Sequence, residues 1–523
     1  MSKLSLVRQS PNITDGSAAS ADLTLDAEVC VIGSGAGGAV VASVLAAAGV
    51  SVLLVEEGGY YGTADFDMIE AHTVPKLYQE AMQRTTADLA ISVLQGRAVG
   101  GTTVVNWTTS FRTPEDVVER WSKRHHVGGF RHADLVPHYE AIEARLSIHK
   151  VDEAAMNRNN RKFYDGCKAK GYAVDTTRRN VYQCLQTGYC GTGCPVNAKR
   201  SMLVTLIPDA LDAGARLLYR CRVDRLEVSG GEVRAAACTL LDAGGYGVTG
   251  RRATLKAKRF VLAGGAINSP AVLLRSGLDG GGLVGTRTFL HPVIGSSGLY
   301  DETIEAFYGA PQSAASHAFA HRGDDVGFFM EASPGYPVLT ATAVPGFGEA
   351  HRKMMSGMAR RTTHIALAID GFHESVPGGT VRLRPSGAPL LDYPIVPRLW
   401  EAFRTAQKRL AEIAFASGAK EVTTLHDPPL TLTSEKELDR IDQAPWEPCR
   451  VGVFTAHQMG GCRMGDDPRD SVVRSEDLRH HALRNLHVID GSVFPTSLGV
   501  NPQESIYGLA RLMATRLATR GST

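Results

Sequence analysis

The stretch AEVCVIGSGAGGAVVASVLAAAGVSVLLVEEGG, residues 27–59, decides the fold. Its apolar run 28–32 predicts a buried strand, and Gly33, Gly35 and Gly38 form GxGxxG at the turn into an alanine-rich helix. The first glycine permits a tight turn, the second lets the backbone approach a pyrophosphate, and the third lets helix and strand pack closely. The helix N-terminus presents free N–H groups and a partial positive charge, which suits phosphate.

A second predicted strand, residues 51–55, leads to Glu56, whose carboxylate is a suitable acceptor for the hydroxyls of a ribose. Strand, glycine turn, helix, second strand and acidic residue therefore predict a dinucleotide-binding unit. NAD and FAD both use this motif, so these residues alone leave the choice of dinucleotide open. A reductase with separate FAD and NAD motifs is disfavoured, because only one good copy is visible.

Further motifs follow in order along the chain. They are GRAVGGTTVVNW (96–107), VLAGGAINSPAVLLRSG (261–277), AHQMGGCRMG (456–465) and LHVIDGSVFPTSLGVNPQES (486–505). This ordered set resembles the glucose–methanol–choline (GMC) oxidoreductase family, nearest its long-chain alcohol and sterol oxidase branch. The resemblance implies an α/β fold, in which a Rossmann-like FAD-binding domain is joined to a discontinuous substrate domain built on an antiparallel sheet plus helices.

The same resemblance implies an interleaved domain order. We expect a polar N-terminal tail, a cofactor domain assembled from three segments, and a substrate domain assembled from two, which includes a long helical pattern at 398–417. The predicted bounds are 1–24 for the tail, 25–115, 205–290 and 450–518 for the FAD-binding domain, and 116–204 and 291–449 for the substrate domain.

The candidate catalytic residues lie near the C-terminus. His457 stands in HxxGxC and Asn501 in an NP pair, which match the active-site positions of the family. The resemblance implies that His457 accepts the proton of a substrate hydroxyl, that Asn501 orients the oxygen, and that hydride passes to flavin N5. Imidazole titrates near neutrality, which suits a base. His291, in LHP, is a weaker candidate base, for which we expect a structural role.

Several cofactor contacts are implied by position in the family motifs. They are Gly100, Gly101 and Thr102 in the loop that crosses the flavin, Asn106 in the same motif, Val223 whose backbone meets the adenine, and Asp490 and Gly491 near the pyrophosphate and ribityl chain. Some family members bind flavin covalently through a histidine at the position that Val105 occupies here. Valine cannot form that bond, so we expect non-covalent FAD.

The segment CLQTGYCGTGCPVNAKRS places Cys184, Cys190 and Cys194 close together. Two branches of the family look similar here: dehydrogenases with an iron–sulfur cluster, and alcohol oxidases whose loop needs no metal. A four-iron cluster needs a fourth thiolate, which Cys167 or Cys221 would have to supply. We favour the metal-free loop because only three thiolates are closely spaced. A zinc ribbon is disfavoured because no CxxC pair is present.

Composition excludes several classes of protein. The chain has 523 residues, 43% of them hydrophobic, and a net charge of +2. The densest basic patch, GRRATLKAKR at 250–259, has no interleaved aromatic residues and predicts the exposed edge of a hairpin, so nucleic acid is a poor candidate partner. No apolar run is long enough for a transmembrane helix, and no N-terminal apolar stretch suggests a secretory signal. Most of the nine cysteines are scattered singly among apolar residues, which fits a reducing compartment and predicts the cytoplasm.

The function that these expectations favour is FAD-dependent oxidation of the CH–OH group of a small-molecule alcohol. The segments VVNW and FPTSLGV suggest a mostly apolar substrate. The electron acceptor is left open between O2 and a quinone or cytochrome. Two alternatives from other classes stay open: a non-redox lyase or photodecarboxylase on the same fold, and a non-catalytic flavin-binding protein.

Overall fold

A computed structural model describes residues 10–520 of the chain. Eleven α-helices are present in that part of the chain, and several contain or follow proline. In chain order they are α1 (Ala36–Ala47), α2 (Glu70–Leu77), α3 (Glu115–His125), α4 (His132–Leu146), α5 (Arg158–Ala169), α6 (Leu206–Asp212), α7 (Gly265–Arg275), α8 (Pro337–Ala343), α9 (Gly348–Ser356), α10 (Pro397–Ala416) and α11 (Gln503–Arg520).

The β-strands of the described residues range from two to fifteen residues and form four sheets. In chain order they are β1 (Ile13–Asp15), β2 (Leu23–Ile32), β3 (Val52–Glu56), β4 (Ile91–Val93), β5 (Thr109–Ser110), β6 (Ile148–Lys150), β7 (Asp175–Thr176), β8 (Arg178–Asn180), β9 (Arg216–Tyr219), β10 (Cys221–Ser229), β11 (Glu232–Leu241), β12 (Val248–Leu262), β13 (Thr286–Phe289), β14 (Val293–Leu299), β15 (Ala314–Ser316), β16 (Phe328–Ala332), β17 (His364–Ala368), β18 (Gly379–Leu383), β19 (Pro389–Asp392), β20 (Glu421–Thr424), β21 (Thr431–Leu432), β22 (Val453–Thr455), β23 (Met459–Gly460) and β24 (Leu486–Val488).

The first sheet is built around the GxGxxG unit. Its order is β1-β9-β3-β2-β12-β11-β10, and β24 also pairs with β12. The strands from β1 to β12 and β24 run parallel, and β12, β11 and β10 form antiparallel hairpins. β3 is buried along its whole length, as expected for a parallel strand covered on both faces. Helix α1 packs against α11 and α6 on this sheet.

The second large sheet has nine strands. Its main order is β21-β20-β14-β17-β16-β15-β7, and β22 pairs with β14 and with β4. All pairs of the main order are antiparallel. The predicted helix at 398–417 is confirmed as α10, which packs on α5, β14 and β17. The predicted fold class, a Rossmann-like α/β unit with an antiparallel sheet plus helices, is therefore confirmed.

The structure corrects one expectation for polar segments and restricts another. Residues 13–15 of the predicted tail form β1, which extends the first sheet by pairing in parallel with β9, and Asp15 of this strand is ion-paired with Arg220 at 2.5 Å. The basic patch 250–259 is an edge only in part, because residues 250–252 pair with β11 alone, whereas residues 253–259 pair with β2. Its basic side chains are exposed or half-buried, and only Ala253 and Leu255 of this segment are buried. Residues 1–9 of the predicted tail lie outside the described residues.

The predicted domain bounds stay a prediction, and the strands add one detail to them. β4 and β22 come from segments that we assigned to the cofactor domain, yet both belong to the nine-stranded sheet. Chain segments therefore pass from one sheet into the other on both sides of the cavity described below. Across residues 10–520, none of the helices has the length and apolar character needed to span a membrane.

Gly166 offers a test of the contact between α5 and α10. A Cβ at this position would lie 2.2 Å from the backbone carbonyl oxygen of Ile413. Although alanine has the higher helix propensity by about 1 kcal/mol, we expect Gly166→Ala to destabilise the protein by about 1–3 kcal/mol through overpacking. The measurement is the melting temperature by scanning fluorimetry. Asp165→Ala on the exposed face is the control, and an equal or higher melting temperature for Gly166→Ala would contradict the packing.

Candidate active site

One cavity of about 620 Å³ collects the residues that the sequence singled out. Of the predicted cofactor and catalytic residues, eleven line it: Gly33, Gly35, Glu56, Gly101, Thr102, Asn106, Val223, His457, Asp490, Gly491 and Asn501. Gly38 and Gly100 do not line the cavity, and each stands one layer behind it. Segments hundreds of residues apart in the chain thus meet around a single space.

The glycine turn has the geometry that its motif predicts. Gly33 has a φ of +104°, in the left-handed region where glycine is favoured. A Cβ at Gly38 would lie 1.8 Å from the carbonyl oxygen of Gly33, so helix and strand approach as closely as backbone allows. Helix α1 begins at Ala36, and Gly35, Ala36 and Gly37 all face the cavity. The helix N-terminus therefore points its free N–H groups at a site suited to phosphate.

Glu56 ends β3 and is hydrogen-bonded to the glycine turn. Its carboxylate accepts hydrogen bonds from the backbone N–H of Ser34 at 3.0 Å, from the Ser34 hydroxyl at 2.6 Å and from the N–H of Gly58 at 2.8 Å. Burial raises the pKa of Glu56, and these hydrogen bonds oppose the rise. Glu56 therefore holds the turn in shape, and its contact with a ribose stays a prediction.

The loop after Gly96 lies directly against the glycine turn. The N–H of Gly100 donates to the Ser34 hydroxyl at 2.9 Å, and a Cβ at Gly101 would lie 2.7 Å from Cα of Gly35. Both Gly100 and Gly101 have positive φ values. The two motifs are thus in backbone contact, which only glycine at these positions permits. The N–H of Gly96 donates to the Thr102 hydroxyl at 3.1 Å and closes the loop.

Asp490 and Asn106, two further candidate cofactor-binding residues, lie in other parts of the cavity wall. Asp490 accepts hydrogen bonds from the N–H of Gly265 at 2.8 Å and from the Ser269 hydroxyl at 2.6 Å, and burial raises its pKa. Asn106 donates from Nδ2 to Gln503 at 2.6 Å, whereas its Oδ1 is buried and has no hydrogen-bond partner within the protein. An orphaned acceptor in a cavity wall is suited to a donor on a bound group.

His457 and Asn501 lie together at the cavity wall. Nε2 of His457 is 3.4 Å from Nδ2 of Asn501, and Nδ1 of His457 is 3.2 Å from Nδ1 of His291. Burial lowers the pKa of His457 to about 3 and lowers that of His291 as well. Both rings are therefore neutral at pH 7. His291, for which we expected a structural role, contacts the candidate base directly.

A buried carboxyl group behind Asn501 was not predicted from the sequence. Oε2 of Glu331 lies 3.4 Å from Nδ2 of Asn501 and accepts a hydrogen bond from Nε2 of Gln312 at 2.7 Å. Glu331 is fully buried, and burial raises its pKa to about 8, so the carboxyl group is mostly protonated at pH 7. The signal in the sequence was a single acidic residue within the apolar run GFFMEAS at 327–333.

Next to the histidines the cavity wall is apolar. Val293, Ile365, Leu367 and Phe454 line it from β14, β17 and β22 of the nine-stranded sheet. Ile365 and Leu367 belong to a small buried cluster with Val293 and Phe329. The face of one sheet thus supplies a hydrophobic surface beside the polar His457–Asn501 pair.

The cysteine loop packs behind the cavity without a recognisable metal site. Cys190 is buried, and its sulfur accepts a weak hydrogen bond from Arg179 at 3.6 Å. The candidate fourth thiolates lie in separate cores, with Cys167 under the second sheet and Cys221 in the first. No group of three or more His, Cys, Asp or Glu side chains within residues 10–520 is arranged to hold a metal ion. The iron–sulfur alternative therefore has no support.

Lys199 connects this loop to the cavity wall. Its buried ammonium group donates to the carbonyl oxygens of Cys190 at 2.6 Å and Asn106 at 3.1 Å, and also to that of Val104. Burial lowers the pKa of Lys199 to about 8. The cysteine loop and the loop of residues 100–106 are therefore held together by one buried cation.

Comparison with known proteins identifies the family. The N-terminal and C-terminal models of GMC oxidoreductase match residues 54–293 and 375–510. The chain belongs to the GMC oxidoreductase family. It is 30% identical to an uncharacterized GMC-type oxidoreductase of Sinorhizobium fredii, with 97% of each chain covered. It is 27% identical to a long-chain-alcohol oxidase of Arabidopsis thaliana, over 94% of this chain and 67% of the relative.

Solved structures of the same fold include two oxidases. Pyridoxine 4-oxidase from Mesorbium loti aligns with a TM-score of 0.67 at 20% identity, over 94% of this chain and 99% of the other. Formate oxidase aligns with a TM-score of 0.67 at 15% identity, over 96% and 100% of the two chains. At these identities the likeness concerns the fold.

Membership of this family implies FAD, and the cavity fits it. The helix N-terminus at Gly35 suits the pyrophosphate, and the unpartnered Oδ1 of Asn106 suits a donor on the bound group. Val105, where some relatives carry a flavin-linked histidine, lines the same cavity as a buried valine.

Because Val105 cannot form a covalent link, we expect purified protein to be yellow and to release its flavin on acid precipitation. The measurement is the absorbance spectrum of the supernatant after the protein is removed, followed by identification of the flavin by chromatography. Flavin that stays with the protein pellet would contradict non-covalent binding, and bound NAD without flavin would contradict the cofactor assignment.

His291 provides a test of the contact between the two imidazoles. His291→Phe keeps a ring but removes Nδ1, which meets Nδ1 of His457, and Nε2, which accepts a hydrogen bond from the N–H of Gly499 at 3.1 Å. The loss of one hydrogen bond costs about 1 kcal/mol. We therefore expect loss of the contact between the two imidazoles to make flavin reduction about fivefold slower, without loss of FAD. The rate of anaerobic flavin bleaching is the measurement. His291→Gln, which retains hydrogen-bonding atoms, should recover part of the rate, whereas equal rates in all three proteins would show that the contact has no role.

Proposed function

We propose that this protein oxidises the CH–OH group of an apolar alcohol to a carbonyl, as an FAD-dependent alcohol oxidase or dehydrogenase. The observation that carries the proposal is the single cavity lined both by the dinucleotide turn and by His457 and Asn501. Family membership and the long-chain-alcohol oxidase relatives support the same reaction class.

The chain's own residues suggest how the hydroxyl group is handled. His457 is neutral at pH 7, and a neutral imidazole can accept a proton. Asn501, 3.4 Å away, can hold the substrate oxygen beside the ring. We propose that His457 takes the hydroxyl proton while Asn501 fixes the orientation of the oxygen. FAD, when bound, would accept the hydride from the substrate carbon.

The surroundings of the pair set the condition for this proton transfer. Burial lowers the pKa of His457, and Glu331 behind Asn501 is mostly protonated at pH 7, so neither supplies a charge that stabilises a protonated imidazole. Apolar side chains from β14, β17 and β22 line the same cavity, and in such surroundings the attraction between a protonated ring and the negative charge developing on the substrate oxygen is strong.

Non-redox alternatives on the same fold are a lyase, a photodecarboxylase and a non-catalytic flavin-binding protein. The adjacent His457 and Asn501 favour redox chemistry on a hydroxyl over all three.

The electron acceptor is proposed as O2 or a quinone or cytochrome. Parallel assays of substrate-reduced enzyme with O2 and with a quinone would distinguish an oxidase from a dehydrogenase.

We also propose the cytoplasm as the location of the protein. All nine cysteines are unpaired thiols, which supports this location.

Replacement of His457 should slow reduction of the flavin without preventing the binding of FAD. We expect His457→Ala to retain FAD but to reduce it about 10²- to 10⁴-fold more slowly, the usual effect of losing a positioned base. Asn501→Ala should slow the same step while the base is still present. Stopped-flow bleaching of flavin by an alcohol without oxygen is the measurement, and His487→Ala, a buried histidine outside the cavity, is the control. A wild-type rate for His457→Ala would assign the base to another residue.

The apolar wall predicts a trend along a series of linear alcohols. Each buried methylene contributes about 0.8 kcal/mol, so kcat/KM should rise roughly fourfold per added carbon until the cavity is full. The assay is anaerobic flavin reduction with alcohols of increasing length. Polar alcohols such as glucose and choline serve as comparison substrates, and a preference for either over every apolar alcohol would contradict the proposed substrate class.

A further inference from the structure

A group of large apolar side chains is exposed outside the cavity. We call it the apolar face, and it consists of Met68, Ile69, Leu185, Val196, Val338 and Phe347. Phe347 is 91% exposed and stands between Gly346 and Gly348, which both have positive φ values. Single exposed apolar residues are common on proteins, but a contiguous group marks an interaction surface.

Direct contacts hold the segments of the apolar face together. The N–H of Val338 donates to Oε2 of Glu70 at 2.8 Å, which ties the start of α8 to residues 66–70. The ring of Phe66 packs against Gly193 of the cysteine loop so closely that a Cβ there would lie 2.4 Å from the ring. Residues 66–70, the cysteine loop and α8 therefore form one continuous surface.

Tyr336 joins this surface to the wall of the cavity. Its hydroxyl donates to the carbonyl oxygen of Gly188 at 2.6 Å and accepts a hydrogen bond from the N–H of Gly191 at 3.0 Å. Its ring meets Trp107 edge to face with the centroids 6.5 Å apart, and Trp107 lines the cavity. The apolar face is thus one side-chain layer away from the candidate active site.

Most of the segments around the apolar face carry no formal charge. Residues 181–198 and 332–348 contain no Lys, Arg, Asp or Glu, and the same is true of the adjoining segment 306–320. The turn at 307–308 lies against Gly188, where a Cβ would be 2.6 Å from the carbonyl oxygen of Phe307. Residues 66–70 do contain two acidic residues: Asp67 is paired with His72, and Glu70 accepts hydrogen bonds from two backbone N–H groups at the start of α8. The uncharged segments can enter hydrocarbon without the cost of desolvating charges.

We propose that the apolar face docks on a lipid surface, from which the enzyme takes its apolar alcohol. The source of substrate rests on the function proposed above, whereas the docking itself rests only on the exposed side chains. The cysteine loop, for which a metal site has no support, gains a role in this arrangement because it presents Leu185 and Val196 at the surface.

The shape of the face favours lipid over a second copy of the chain. Neither α8 nor α9 buries a side chain in the protein, and Phe347 protrudes from the turn between them. A phenylalanine exposed on a turn, beside segments without charge, suits insertion into fluid lipid, as aromatic side chains do at membrane interfaces.

The experiment measures co-sedimentation of the intact, FAD-loaded protein with phosphatidylcholine vesicles, at 0.1 M and at 0.5 M NaCl. We expect wild-type protein to sediment with the vesicles at both salt concentrations, because the contact is apolar rather than ionic. Phe347→Asp combined with Ile69→Asp should lower binding at least tenfold. Leu89→Asp combined with Val248→Asp is the matched control, since these side chains are exposed outside the apolar face, and it should bind like wild type.

Each outcome decides for or against docking. Wild-type protein that stays in the supernatant would overturn the proposal, and so would equal loss of binding in the two double variants. Light scattering is the second measurement: a wild-type dimer that Phe347→Asp dissociates would assign the face to self-association instead. FAD absorbance verifies that all variants are folded.

Turnover of a short, water-soluble alcohol distinguishes failure of docking from failure of the proposed function. We expect this rate to be unchanged in all variants, while turnover of a long-chain alcohol held in vesicles falls at least tenfold only in Phe347→Asp with Ile69→Asp. Vesicle binding without oxidation of any alcohol would uphold docking and overturn the enzymatic proposal. Oxidation of short alcohols without vesicle binding would do the reverse.

Discussion

The candidate active site depends on the hydrogen bonds of one buried serine. Ser34 lies within the glycine turn and donates to Glu56 through both its backbone N–H and its hydroxyl, while that hydroxyl accepts from the N–H of Gly100. A strand end, the dinucleotide turn and the loop of residues 100–106 are thereby joined at one side chain. The close approach of Gly101 to Gly35 follows from this junction, since any larger residue would push the two loops apart.

The end of the cavity at His457 is organised by burial rather than by charge. His457, His291 and Glu331 all shift toward their neutral forms, because each is removed from water without a full ion partner. These three titratable groups carry almost no net charge at pH 7. The small charges that develop as a hydroxyl loses its proton can therefore interact strongly with the buried groups around them.

Local patterns in the sequence predicted the parts of the molecule that local physics determines. The turn at Gly33–Gly38 and helix α10 follow from backbone geometry and hydrophobic periodicity, which neighbouring residues specify. The family resemblance named His457 and Asn501, and the structure places them in contact. Their catalytic roles and the domain bounds stay predictions.

The errors and omissions concern residues whose place depends on remote pairing. Residues 13–15 carry no strand pattern strong enough to reveal their pairing with residues 217–219. Glu331 reaches Asn501 only because β16 takes its particular place in the nine-stranded sheet, and His291 reaches His457 across 166 residues of chain. The three-cysteine spacing was compatible with metal, yet spacing alone does not bring a fourth ligand near.

The segments that carry β4 and β22 pass between the two sheets, and this limits how the substrate specificity of the fold can change. β22 ends two residues before His457, and β4 ends three residues before Gly96, so strands of the nine-stranded sheet lead directly into the loop that carries His457 and into the loop that contacts the glycine turn. Shifting a strand of that sheet would also displace the histidine. A new substrate is therefore most easily accommodated by exchanging side chains such as Ile365 and Leu367 on a stationary backbone, so that specificity can change during evolution while the reacting geometry is inherited intact.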